Sequence, residues 1–500
     1  MNPVLKSSPA LPFSMLVLTL ILAALDQTIL STALPVMARE LPGHWPLAWV
    51  FSAYLLAATV VIVLYGRLAD VLGKKSMLLL AIGLFLIGSL ACGASQDLPQ
   101  LVVARALQGA GGGGLMTLSM LTVPDLFALE QRGRYQGLLG AAYGVSTMFG
   151  PLLGGTLVEH LSWHWAFWLN VPLAALAWGV LAWTLPSKQA LKGALPLPEP
   201  RGRIDWLGAV LLTATLVLLL LATQHGQLHL PERLSLWLLV ALGAGFMLAF
   251  LWRQYRATHP LLPLSLFGRP AYAAVSFIGF ATGVALYAAV VFLPQYLQTG
   301  LRLSPVGSAW HLLPLMAGIT VAAVVSGKWL RAQAPVALMA RMACVLMLLS
   351  FGLIVGMLRW LPHAPLMLSA GLLPLGLGLG LLFPVITVVA QRVSPAQQMG
   401  IATAAPIMLR SLGGATGVAL LAVLLTHSMA EELAATSAPA SRDAVTAAMV
   451  HGLQSVFGWA SGAAFLALLA CRSLAPIRQA AKPEADALAR PHSEPVAASR

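Results

Sequence analysis

Charge is what this sequence most lacks. Asp, Glu, Lys and Arg make up 9% of its 500 residues, against 59% hydrophobic residues and a mean hydropathy of +0.85. A soluble globular domain carries about 25% charged residues. This chain has too few to cover a water-facing surface, so lipid must be its solvent over most of its length. Cysteine is equally sparse. Cys92, Cys344 and Cys471 are too scattered for a zinc site or a disulfide framework, and each sits in an apolar run as packing. No His/Cys/carboxylate cluster has metal spacing, and no G-x-S-x-G or Walker sequence occurs. A membrane enzyme therefore has no support, and no metal and no cofactor are expected. Long polar segments are also missing, which leaves no room for a soluble catalytic or output domain.

What is present is a series of apolar runs. A bilayer-spanning helix needs roughly 20 mainly apolar residues, and about fourteen runs of that kind can be placed. The first is not a cleavable signal, because it is too long and carries Asp26 in its middle. With the N-terminus inside, roughly 21 Lys and Arg fall on the cytoplasmic side, about 5 outside and about 3 within spans, as the positive-inside rule expects. The net charge of +13 thus has a topological cause, and nucleic acid is not an expected partner. Both termini come out cytoplasmic, which requires an even number of spans. The expected organisation is an all-α integral membrane protein. Residues 1–185 form an N-terminal six-helix half, 186–204 a Pro-, Lys- and Arg-rich cytoplasmic loop, and 205–251 two inserted helices. Residues 252–474 form a C-terminal six-helix half, and 475–500 a disordered cytoplasmic tail.

A repeat underlies the two halves. GLLGAAYGVSTMFGPLLGGTL from Gly137 aligns with GIATAAPIMLRSLGGATGVAL from Gly400. At one constant offset Gly137, Ala141, Ala142, Gly150 and Gly154 meet Gly400, Ala404, Ala405, Gly413 and Gly417. GRLAD (Gly66–Asp70) and GKWLR (Gly327–Arg331) echo each other at nearly the same offset. Duplicated halves with a site near the midplane are a transporter architecture.

Ionisable groups inside spans are few and conspicuous. A carboxylate mid-span costs about 2.5–3.5 kcal/mol on insertion scales and marks function by default. Asp26 could take a proton from one side and release it on the other, or attract a cationic substrate. The plainer alternative is a packing hydrogen bond to Thr28, Thr32 or a neighbouring helix. Arg105, three residues before Gln108 in the fourth span, must face a cavity or a partner, and Asp26 is the candidate partner. Its plainer role is to tie spans one and four together through backbone carbonyls. Arg410 lies in span thirteen, where it could line a cavity, carry an anionic substrate or make a structural pair. His311 reads as a satisfied core histidine. Trp49, Tyr54, Trp163, Trp165 and Trp168 lie near span ends, where interfacial belts are expected. The stretch QGAGGGGLM (Gln108–Met116) matches the G-x-G-x-x-G spacing of a dinucleotide loop. No strand precedes it, and lipid forbids an open loop there. Its glycines predict a smooth helix face for close packing, loosely echoed by GLGLGLLF (Gly376–Phe383).

Five patterns in order carry a family resemblance: LDQTILSTALP (Leu25–Pro35), GRLADVLGKK (Gly66–Lys75), LVVARALQGAGGG (Leu101–Gly113), GVSTMFGPLLGGTL (Gly144–Leu157) and WHWAFWLNVP (Trp163–Pro172). Together they resemble the major facilitator superfamily, specifically its fourteen-span drug:proton antiporters of the EmrB/QacA type, over nearly the whole chain. The resemblance implies alternating access between two six-helix halves and export of an amphipathic compound in exchange for protons. It implies a cytoplasmic gating motif at Gly66, Arg67, Asp70, Gly73, Lys74 and Lys75, with Asp70 latching the halves together. The alternative for Lys74 and Lys75 is a solvated, topology-setting loop. Arg331 stands where the second-half echo would have an acid, so the latch would be asymmetric. The resemblance places Arg105 in proton transfer, with Asp26, Gln108 and Arg410 as proton-coupling or substrate residues. It makes Gly144, Gly150, Pro151, Gly154 and Gly155 the helix motif that marks exporters. Leu30 and Ser31 stand where the first-span motif usually has Val-Asn. The implied partners are protons, a small amphipathic substrate for which a cation is one reading, the lipid bilayer and, left open, a periplasmic adaptor. The implied location is the inner or plasma membrane. The competing function is proton-coupled transport of one defined metabolite such as a fatty acid, siderophore or sugar.

Overall fold

Within lipid, every backbone N–H and C=O must find its partner inside the protein, so long apolar runs become helices. The computed structural model describes residues 8–42, 48–127, 129–186, 205–223, 236–258, 260–395, 398–435 and 442–474, and among them all regular structure is helical. Of the expected 186–204 loop only residue 186 is described, and the expected tail 475–500 lies outside the described residues.

The first half contains α1 (Ala10–Glu40), α2 (Ala48–Leu72), α3 (Lys74–Gly93), α4 (Leu98–Leu126), α5 (Leu129–His160) and α6 (Asn170–Thr184). Two helices follow, α7 (Trp206–Thr223) and α8 (Leu236–Arg256). Then come α9 (Pro270–Tyr287), α10 (Leu313–Arg331), α11 (Val336–Trp360), α12 (Leu373–Arg392), α13 (Met399–Ala435) and α14 (Arg442–Ala470). Among the described residues, ten helical stretches are long and apolar enough to cross a membrane. Helices α4, α5, α7 and α13 occupy the other expected positions. Of these, α4 carries Arg105, Gln108 and Asp125 among its glycines, and the apolar part of α7 includes Trp206–Leu219.

Local chemistry sets the boundaries. The turn between α2 and α3 needs a left-handed residue, and Gly73 supplies it at φ 97°. Asp97 caps α4 by accepting the Gln100 backbone N–H at 2.8 Å. At the foot of the α7–α8 pair, Asp205 accepts from Arg253 and Gln254, each at 3.0 Å, and from the Gly208 N–H. Gln254 in turn accepts the Leu262 N–H at 2.9 Å, which ties the pair to the chain entering α9.

The glycine face of α4 is a packing surface, and it has a counterpart. A Cβ on Gly109 or Gly113 would strike the backbone carbonyls of Tyr54 or Ala58 on α2, and one on Gly111 the backbone of Phe85 on α3. On α12, Gly376 and Gly380 meet the carbonyls of Leu315 and Ile319 on α10 in the same way, and Gly378 meets Ala343 of α11. Three glycines at matching spacing thus give the second half the same α2–α4–α3 arrangement as the first. The same alignment sets Leu372 and Leu375 opposite Arg105 and Gln108. Likewise α5 packs on α1 at Gly150, and α13 packs on α9 at Gly413, which lies against Phe280.

Two sequence expectations are corrected here. Trp163 and Tyr54 are buried rather than at a lipid interface, the Trp163 indole N–H donating to Glu40 at 2.9 Å. Trp165 and Trp168 are exposed. Distance in sequence also hid a cysteine pair: Cys344 on α11 and Cys471 just after α14 bring their Sγ atoms to 3.8 Å as free thiols.

Candidate functional site

The packing of α1 against α4 brings Asp26 and Arg105 together. Arg105 Nη1 donates to Asp26 Oδ2 at 2.6 Å, with both side chains essentially without solvent contact. One helical turn along α4, Gln108 joins the pair. Its Nε2 donates to Asp26 Oδ1 at 2.8 Å and to Ser89 Oγ at 2.8 Å, and its Oε1 accepts from Arg105 Nη1 at 2.8 Å. Asn170, the first residue of α6, donates a further bond to Asp26 Oδ1 at 3.1 Å. Arg105 Nε donates to the Val50 carbonyl at 3.2 Å, and the guanidinium lies over the Tyr54 ring at 4.2 Å. The Cys92 thiol donates to Gln108 Oε1 at 3.4 Å, so this cysteine belongs to the cluster rather than to inert packing.

The electrostatics are close to complete. An ion pair taken out of water is tolerated only when further hydrogen bonds satisfy its remaining donors and acceptors. Asp26 accepts three such bonds, which compensate its charge inside the membrane. One gap remains: among the described residues Arg105 Nη2 has no hydrogen-bond partner. Any change in Asp26 therefore reaches Arg105 and Gln108 directly, and through them α2 and α3. Ser89 and Asn170 were not singled out from the sequence, and Tyr54 was expected only in an interfacial belt. An Asn opening an apolar span was the readable signal, while a serine or tyrosine in a span is too common to give one.

At the α2–α3 end of the bundle Asp70 reaches across to α13. Its carboxylate accepts the backbone N–H of Gly400 at 2.8 Å and of Ile401 at 3.3 Å, at the start of α13. A helix N-terminus is a favourable place for an anion. Gly66 allows the approach, since a Cβ there would collide with Ala404 and the Gly400 carbonyl. The lysines of the motif serve the first half instead. Lys74 pairs with Asp125 at 2.6 Å, and Lys75 donates to the carbonyls of Ala182 and Leu185 at 2.6 and 2.7 Å. Arg67 is buried beside Asp70, close enough to act on its charge. Among the described residues Arg331 makes no equivalent latch. It lines a cleft of about 570 Å³ with Arg134, Lys328 and Ala332. On that side α5 and α10 join by close packing: Gly137 faces the Ala323 carbonyl and Gly327, and Gly133 faces Leu330. Gln136 donates to Gln391 at 3.3 Å, a polar contact between α5 and α12, and Gln391 donates in turn to Thr403 of α13 at 3.1 Å.

Within α5, Gly144 faces Thr320 and Ile319 of α10, and Gly150 faces Thr28 of α1. Gly154 is buried, and Pro151 and Gly155 fall within the same helix. Arg410 lies apart from Asp26 and Arg105, between the halves. Its Nη2 meets Met116 Sδ at 3.3 Å, and its guanidinium lies 4.7 Å from the Phe383 ring and 6.0 Å from the Tyr143 ring. His311 is half-buried, its Nδ1 2.6 Å from Ser369 Oγ. Among the described residues no group of three or more His, Cys, Asp or Glu could hold a metal ion.

Residues 16–418 match the Major Facilitator Superfamily. The chain belongs to that superfamily. It is 36% identical over 427 residues to an uncharacterised MFS-type transporter of Mycobacterium tuberculosis, covering 84% of this chain and 60% of the relative. The chain thus spans about three-fifths of that relative's length. It is 28% identical over 424 residues to the multidrug transporter protein MdtP of Bacillus subtilis, covering 84% of this chain and 76% of that one. The fold resembles the human organic anion transporter MFSD10, with a TM-score of 0.64 at 16% identity over 93% of this chain and all of the other. It also resembles the proton:xylose symporter XylE, with a TM-score of 0.62 at 14% identity over 95% of this chain and 97% of the other. The superfamily and these neighbours are transporters, not enzymes, and the chain is a multi-pass cell-membrane protein.

Proposed function

We propose that the protein is a proton-coupled exporter of amphipathic small molecules, an antiporter of the fourteen-span EmrB/QacA type with both termini cytoplasmic. Residues 1–185 and 252–474 are its two moving halves, and 205–251 is a hairpin on their flank. The observation that carries this reading is the Asp26–Arg105 pair, buried in a membrane span and fully ligated on its carboxylate. A helix-packing role would need only a neutral hydrogen bond, at far lower cost than two charges in lipid.

The mechanism follows from the geometry. With Asp26 ionised, Arg105, Gln108 and Asn170 hold α1, α4 and α6 together. A proton arriving on a carboxylate oxygen removes the negative charge and replaces an acceptor with an O–H donor. Arg105 then loses its counter-charge and needs another acceptor, which its free Nη2 is already placed to seek. The α1–α4 contact loosens, and the glycine face of α4 lets the helix shift against α2 and α3 without side chains to unlock. Closure on the cytoplasmic side rests on Asp70 at the start of α13 and on the glycine contacts of α5 with α10. Release of those contacts opens the other access state. Several relatives carry names of efflux or multidrug transporters, which supports the outward direction.

The test uses purified protein in liposomes with an imposed pH gradient. Wild type accumulates or expels an amphipathic dye in proportion to the gradient. Asp26→Asn abolishes the gradient-driven component, more than about a hundredfold, while substrate exchange without a gradient persists. An Asp26→Asn protein that still responded to the gradient at the wild-type rate would sink the coupling role.

A further inference from the structure

Arg410 is a buried cation that the proton mechanism does not use. It stands eleven residues after Met399, which opens α13, or about 16 Å along the helix, near the middle of a hydrocarbon core of about 30 Å. Residues from both halves surround it: Met116 of α4, Tyr143 of α5, Tyr287 of α9 and Phe383 of α12. Although ringed in this way, Arg410 keeps a solvent-accessible surface, as do Met116, Tyr143 and Tyr287. Its neighbours come from both halves, which sets that surface between them.

An arginine kept in lipid for packing alone is expected to be neutralised. Arg105 is, by Asp26 and Gln108. Among the described residues no carboxylate approaches Arg410, and its hydrogen bond is to a thioether sulfur, a weak acceptor. The guanidinium therefore presents charged donors to the space between the halves, with aromatic rings on either side. The buried carboxylate of α1, Asp26, is closed off by three donors and offers a cation nothing.

We propose that Arg410 is the charge-recognising residue of the substrate site and that the substrate is an amphipathic organic anion, a carboxylate or sulfonate on an aromatic or apolar body. The inference rests on the exporter reading for its setting but concerns binding, not coupling. The anionic group forms a charge-assisted pair with the guanidinium, which arginine's planar fork suits. Its apolar body lies against Phe383, Tyr143 and Met116. Because the contacts come from both halves, the ligand is held where alternating access would expose it to each side in turn.

Fluorescein and rhodamine 123 are xanthene dyes of similar size and opposite charge, and they serve as the probes. Equilibrium binding to the detergent-solubilised full-length protein, with no pH gradient, isolates recognition from coupling. Wild type binds fluorescein at least tenfold more tightly than rhodamine 123. Arg410→Gln weakens fluorescein binding about tenfold to a hundredfold, the range for hydrogen bonds to a charged group. Arg410→Lys restores part of that loss, which separates lost charge from lost folding. Gly83→Ala, where an added carbon meets nothing within 4 Å, leaves fluorescein binding within about threefold of wild type, and because binding is read without a gradient, a failure of gradient-driven transport would not disturb this result. The proposal is overturned if wild type binds neither dye or favours rhodamine 123. It is also overturned if Arg410→Gln binds fluorescein as wild type does.

Discussion

The two halves of this chain use the same scaffold and treat buried charge in opposite ways. In each half, three glycines on one helix let it close on two neighbours: α4 on α2 and α3, α12 on α10 and α11. On the first scaffold stand Asp26, Arg105 and Gln108, a cation and an anion that satisfy each other. On the second, Leu372 and Leu375 take the places of Arg105 and Gln108, and a deep arginine, Arg410, comes from α13. Its counterpart in the repeat is Thr147 of α5. The shared scaffold needs only glycine at close approaches, so duplication preserves it. The charges are free to diverge, because in the proposed mechanism each half faces a different task. A matched pair suits a proton that must come and go, since one proton breaks the match. An unmatched cation suits a ligand that supplies what is missing.

The largest expected effect comes from making the first half resemble the second. Arg105→Leu leaves Asp26 ionised and buried without its counter-charge. Breaking a buried pair by removing one partner costs about 3–5 kcal/mol, whereas replacing both partners with apolar groups is often neutral. Thermal unfolding in detergent should show a steep loss for Arg105→Leu and substantial recovery for Arg105→Leu combined with Asp26→Leu. Neither protein should couple to a pH gradient. Equal stability of the single and double variants would mean that Asp26 and Arg105 are not an energetic unit.

The shared scaffold is the next point to press. Gly113→Ala and Gly380→Ala place a methyl group against the carbonyls of Ala58 and Ile319, which are backbone atoms and cannot rotate away. Overpacking of this kind costs about 1–3 kcal/mol. Gly83→Ala in α3 is the control: nothing lies within 4 Å of the added carbon, and alanine favours the helix by up to about 1 kcal/mol. Similar losses at Gly113 and Gly380 with none at Gly83 would fit a duplicated contact. A loss in only one half would show that the two glycine faces bear load differently.

Much of this was readable from residues alone, and the reason is the solvent. Lipid punishes an unpaired charge so heavily that Asp26 in span one and Arg105 in span four predict each other as partners. Glycine clusters within apolar runs predict close approach for the same kind of reason. The rest depended on three-dimensional proximity that spacing does not encode. Asn170 completes the Asp26 shell from α6, Ser89 holds Gln108 from α3, and Lys74 turns to Asp125 rather than toward the second half. In α4, glycines together with Arg105 and Gln108 stand where other spans hold leucine, so hydropathy falls where the partners of Asp26 lie.

The smallest expected effect is the one that separates the two arginines most cleanly. Arg410→Gln removes a cation that has no acidic partner among the described residues and a single weak hydrogen bond to Met116. Its loss leaves no buried carboxylate stranded, in contrast to Arg105. Glutamine retains hydrogen-bonding capacity and most of the side chain's reach, and the removed charge was a burden in lipid rather than a support. Stability without ligand should therefore change by less than about 0.5 kcal/mol, or rise slightly, as substitutions away from networks usually do. A substrate that binds the folded state adds stability by mass action, about 2.7 kcal/mol at a concentration one hundred times its Kd. The wild-type protein should gain that increment with fluorescein, and Arg410→Gln should gain much less at the same concentration. A large loss of stability in the ligand-free Arg410→Gln protein would instead make Arg410 a structural residue, and the contrast between the halves would disappear.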